Sequence, residues 1–280
     1  LNNECVEKIE SIPNPPELLI NMIPIKYNGS NWVYADINES WYDYGNKEWA
    51  NAVVLNDNVT KNVGDTVTEE EIALWYVWIP RYKYQLFNAD NGSVAEQLIN
   101  VTFESGTTST GTVSCIDAVS GTGSSSEICT NASNGNWYTH PAFTFGNEEL
   151  TGFWVGKFEV SGTTDQITIK PGVQSLRSTT VSNFFTAIQG IKSDYGISSG
   201  DSHMMKNMEW GAVAYLKQSK YGLGTTDIGI NNNSSYITGC GAQTGSSEST
   251  LCNAYNTANG LLGSTTGNIY GVYDMSGGAY

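Results

Sequence analysis

The chain has 280 residues and a net charge of −15, from 28 acidic against 13 basic side chains. Such an anionic surface repels phosphate backbones and argues against a nucleic-acid partner; its acidity serves solubility or holds Ca²⁺ through some of the carboxylates. Hydrophobic residues make up 39% and charged residues only 15%, enough apolar material for a large core under a surface rich in Asn, Ser, Thr and Gly, as in many extracellular, loop-rich proteins.

Residues 1–20 read as a linker, because the prolines of I-P-N-P-P at 12–16 forbid a helix. Residues 21–58 read as a small unit of aromatic strands. M-I-P-I-K-Y at 22–27 and N-W-V-Y-A at 31–35 flank Asn28-Gly29, a two-residue hairpin signal. A second turn is expected at Gly45-Asn46, before a strand over 47–54. Alternating Trp and Tyr would line one sheet face, either as core packing or as a sugar-stacking surface. Thr68 and Glu71 form a capping-box pattern that predicts one or two helical turns, and 75–87 reads as a strand. Residues 104–136 are a Ser/Thr/Gly loop. Apolar spacing predicts helices over 181–191 and 206–218, the second with Met208, Ala212 and Tyr215 along one face. Residues 219–268 return to loop, and the Asn-rich stretch 229–235 suits either a turn or a calcium or ligand loop. No run approaches the length of a membrane span, and nothing resembles a signal peptide. Both ends read as cut.

Cys115 and Cys129 enclose thirteen residues, Cys240 and Cys252 eleven; both segments have a Gly/Ser tip containing S-S-E. Each reads as a loop closed by a disulfide, which stabilises by about 3 kcal/mol and implies an oxidising compartment. Free thiols or a metal are the alternative, but the spacing is too wide for zinc pairs and there are only two histidines. Cys5 is left over. His140 and His203 read as hydrogen-bonding histidines of the frame; neither has a partner at a catalytic or metal spacing. His203 precedes the second helix and could cap it or anchor its start.

Five segments resemble, in order, the formylglycine-generating enzyme (sulfatase-modifying factor) family. W-I-P-R-Y at 78–82 resembles its opening W-I-P-x-G strand, and G-F-W-V-G-K-F-E-V-S at 152–161 its F-x-I-G-K-Y-E-V-T strand. V-S-N-F-F-T-A at 181–187 resembles V-S-W-x-D-A-x-A, and M-K-N-M-E-W-G-A-V-A-Y at 205–215 resembles the L-P-T-E-A-E-W-E-Y-A-A helix. Y-G-V-Y-D-M-S-G-G-A-Y at 270–280 looks like G-L-Y-D-M-S-G-N-V-W-E-W. The chain departs from the pattern at Gly278, where the family has Asn, at 205–207, where it has Pro and Thr, and in an insertion over 88–150.

The resemblance implies an α+β, C-type-lectin-like fold of short strands, two main helices and long irregular loops. It divides the chain into an N-terminal unit, 1–58, and a domain over 59–280 that is incomplete at its C-terminus. In the family a cysteine pair beyond the final signature binds copper and activates oxygen. No cysteine here follows Tyr280, so no catalytic residue is assigned, and Cys240 and Cys252 are kept as structural. Glu159, Glu209, Trp210, Tyr273, Asp274 and Met275 fall in the matching motifs and read as scaffold. Glu209 and Asp274 would accept backbone N–H bonds or serve as Ca²⁺ ligands, calcium being the one cofactor the fold suggests. Trp210, Glu209, Tyr273, Asp274 and Met275 are expected to meet in one core, with Tyr273 and Met275 on one side by strand alternation. Trp210→Ala would then cost about 3–5 kcal/mol. The expected function is a non-catalytic, secreted or surface-displayed module, bacterial or phage, that binds a glycan or protein on a cell surface. Two alternatives remain: a fragment of a copper-dependent sulfatase-modifying oxidase, and a structural subunit of a pilus-like or phage-tail assembly.

Overall fold

The apolar run I-A-L-W-Y-V-W-I-P is too unbroken for a strand with one wet face, and it becomes a long inner strand of the main sheet. A computed structural model describes residues 12–85, 97–111, 115–118, 126–129, 136–197, 199–226, 228, 238–239 and 252–276, with backbone alone for 115–118 and 126–129. The strands are β1 (Met22–Tyr27), β2 (Trp32–Tyr34), β3 (Asn51–Leu55), β4 (Ile72–Pro80), β5 (Tyr82–Gln85), β6 (Val101–Phe103), β7 (Cys115–Ala118) and β8 (Ser126–Cys129). They continue as β9 (Trp137–Thr139), β10 (Thr144–Phe145), β11 (Glu148–Glu149), β12 (Gly152–Gly156), β13 (Ser161–Thr163) and β14 (Gln166–Thr168). Three α-helices follow among the described residues: α1 (Val181–Asp194), α2 (Asn207–Lys217) and the short α3 (Ala258–Leu261). The class is mixed α+β, with mostly antiparallel sheets.

Five strands form the main sheet in the order β12-β4-β3-β1-β2. Strands of the expected N-terminal unit therefore pair directly with β4, and a division at 58/59 would cut one continuous sheet. The loop after β1 also differs from the expected two-residue turn. It runs over 28–31, because Asn28 Oδ1 accepts from the N–H groups of Ser30 and Asn31 and widens it. Thr68 and Glu71 bracket a single 3₁₀ turn, in which Glu71 accepts from Thr68 N–H at 2.9 Å, and β4 starts at once. The expected strand over 75–87 is two, β4 and β5, broken at Arg81.

The core divides along β4. Its first half, Ile72 to Trp75, packs with β1, β3 and the buried face of α1: Ala187, Ile188 and Ile191. Its second half, Val77 to Ile79, packs with β5, β6, β9 and the buried face of α2: Ala212, Val213 and Leu216. The expected α2 face was rotated by about one residue. Met208 is 57% exposed; Ala212 turns inward as expected, but with Glu209, Val213 and Leu216 as its buried neighbours. β7 and β8 pair antiparallel with Cys115 opposite Cys129. Cys252 is buried and disulfide-bonded. Cys5, Cys240, Gly278, the Asn-rich stretch 229–235 and most of the Cys240–Cys252 loop lie outside the described residues.

Candidate functional site

Two of the matched segments converge on a third, the final signature, at residues 269–276. β12 ends at Gly156, and Lys157 follows with its carbonyl accepting from Tyr273 N–H at 2.8 Å. Its side chain, 0% exposed, reaches under the terminal segment and donates to the carbonyls of Ile269 (2.7 Å) and Gly271 (2.9 Å) and to Asn51 Oδ1 (3.0 Å). The rings of Trp32, Trp75, Phe158 and Tyr273 surround the Nζ at 5.2–6.0 Å. The second segment, α2, meets the signature through Trp210, whose indole Nε1–H donates to the Met275 carbonyl at 2.8 Å.

The expected common core does not form there. Trp210 is 40% exposed, one residue off the inward face of α2. Tyr273 packs in the α1-side core, and Met275 against the α2-side core. The reason is Asp274, whose φ of 55° is left-handed, so the extended alternation assumed across 273–275 breaks. The motifs are neighbours, but the burial that the family resemblance implied for Trp210 is not there. That removes one support from the resemblance.

The carboxylates of the matched segments hold backbone and side chains. Glu209, near the start of α2, accepts from Lys206 N–H at 2.7 Å, and its other oxygen meets His203 Nε2 at 2.9 Å. His203 also meets Asp201 and tilts over Phe145. It thus ties the residues before α2 to the helix. Asp274 Oδ1 accepts from Gly239 N–H at 2.8 Å, and Thr238 and Ser276 share a hydroxyl hydrogen bond beside it at 3.0 Å. Glu159 accepts from Ser175; burial, and then the charge of Asp274, push its carboxyl up to about 7. His140 caps the 3₁₀ turn after β9, its Nδ1 accepting from Ala142 N–H, and burial pushes its pKa down to about 3. Among the described residues no group of three His, Cys, Asp or Glu side chains could hold a metal ion.

The surface beside the signature is apolar and open. Met204, Met205 and Met208 are exposed, as is Trp210. Lys206, with its Nζ 3.7 Å above the Phe145 ring, adds one cation. Trp210 has spent its only donor on Met275, so what it offers outward is ring surface. Sequence reasoning passed over two buried charges, Lys157 and Arg81. Arg81 donates to Glu104, Glu149, Ser109 and the carbonyls of Phe143 and Leu150. Each is a lone cation in an apolar strand motif, and that interruption is the signal that could have found them. Among the described residues no helix is long and apolar enough to cross a membrane. No known protein family, no characterised protein and no solved structure matches this chain.

Proposed function

We propose that the protein is a non-catalytic, surface-displayed or secreted module that binds a glycan or protein ligand on a scaffold like that of the formylglycine-generating enzyme family. The observation that carries this reading is Trp210, an exposed indole fixed in place by its bond to Met275. A pinned ring binds without losing much side-chain entropy, and aromatic rings with one wet face are common anchors in binding sites. The C-type-lectin-like assignment is supported by the order of the motifs and by the contacts of β12 and α2 with residues 269–276. We assign the disulfides Cys115–Cys129 and Cys240–Cys252, and an oxidising, extracellular location follows from them.

An array of glycans and cell-surface proteins, probed with the wild type and with Trp210→Ala, tests the reading. A ligand class retained by the wild type and lost by the variant is expected. Equal retention by both would place the ligand elsewhere and overturn the site. The same protein, given copper and a sulfatase-derived cysteine peptide, is expected to form no aldehyde. Aldehyde formation abolished by mutation of Cys240 or Cys252 would make it an oxidase instead.

A further inference from the structure

Lysine is almost never fully buried without a charged partner. The acceptors described around Lys157 Nζ are all uncharged: two carbonyls and the Asn51 amide oxygen. Asn51 is itself 0% exposed, in the middle of the main sheet. Its amide is hydrogen-bonded at both ends. Trp75 Nε1–H donates to Oδ1 at 2.8 Å, where negative charge would develop. The Nδ2 group is held by the carbonyls of Trp49 (2.8 Å) and Tyr270 (2.9 Å).

We propose that Lys157 and Asn51 condense into a side-chain amide that staples β3 to the residue after β12. The neutral Nζ attacks Asn51 Cγ, the Nζ–Cγ bond forms, and the Cγ–Nδ2 bond breaks. One of the two protons left on Nζ passes to Nδ2, which departs as ammonia, and the proton given up when the amine became neutral makes it ammonium in water, so one buried ammonium becomes one ammonium in water and no other reactant is consumed. The buried cation is replaced by a neutral amide, which removes its desolvation cost. Burial pulls the lysine pKa well below 10.5, which makes the neutral amine accessible. Fixed juxtaposition, with Nζ 3.0 Å from Asn51 Oδ1, raises the effective concentration; well-oriented intramolecular reactions reach about 10⁵ M or more.

Intact-mass spectrometry of the full chain after reduction and alkylation, followed by proteolysis, tests this. The expected result is a mass lower than the sequence by one ammonia, with a branched peptide joining the segments that contain Asn51 and Lys157. Lys157→Arg, which keeps a cation at the site, should show the full mass. An unmodified wild-type mass after prolonged incubation, with the two peptides recovered separately, would overturn the proposal. So would the same loss in Lys157→Arg, since it must then arise at another residue.

Discussion

Trp210 and His140 show how much a single side chain's surroundings decide. Trp210 keeps one hydrogen bond and part of its ring buried, so Trp210→Ala should cost about 1–2 kcal/mol by denaturant unfolding, well below a core tryptophan. A loss of 4 kcal/mol or more would mean that the ring is buried in solution. His140 is neutral when folded, with a pKa near 3 against an ordinary 6.5. The unfolded chain takes up its proton first, so this residue's contribution to stability is lost as pH falls through that window. Glu159 acts in the opposite direction. Its carboxyl is raised from 4.5 to about 7, so the folded chain keeps the proton longer; that stabilisation is complete below 4.5 and is lost as pH rises through 7. Melting curves across this range should show Glu159→Gln flattening the neutral side and His140→Asn flattening the acid side. Unchanged slopes in both would contradict these environments. Neither effect was legible in the sequence, because burial of a lone His or Glu depends on which distant segments close over it.

At the scale of elements, the two helices were readable because their apolar periodicity is local: residues 181–191 and 206–218 became α1 and α2 with small changes at the ends. The inward face of α2 was misread because apolar spacing picks out Met208, Ala212 and Tyr215, whereas burial follows the row of Glu209, Ala212, Val213 and Leu216, which includes a carboxylate. The path through 273–275 was misread because a left-handed Asp274 has no clear sequence signature. The attachment of the terminal segment to β12 rests largely on Lys157. Measured against wild-type chain whose Nζ is uncondensed, Lys157→Met, which leaves the carbonyls of Ile269 and Gly271 without their donor, should cost about 3–5 kcal/mol. Arg81→Lys should cost a similar amount, since a single ammonium cannot reproduce the fork that joins Glu104, Glu149 and two carbonyls around β5. Either variant melting like the wild type would show that the segments are held by packing alone.

At the scale of the whole molecule, the sheet unites strands that composition and motif order had assigned to separate units, because pairing between β3 and β4 is long-range and invisible to local patterns. What remains readable is a frame with two cores meeting along β4, and a side where the first turn of α2, carrying the open ring of Trp210, meets the irregular segments 204–206 and 269–276. Loops displayed on a rigid frame are a usual place for recognition. The most direct test follows the indole N–H resonances by NMR while a ligand selected on the array is titrated in. The Trp210 signal should shift and saturate with the ligand, while those of the buried Trp49 and Trp75 stay in place. A ligand that saturates the protein and leaves the Trp210 signal unmoved would contradict the assignment of this surface as the binding site.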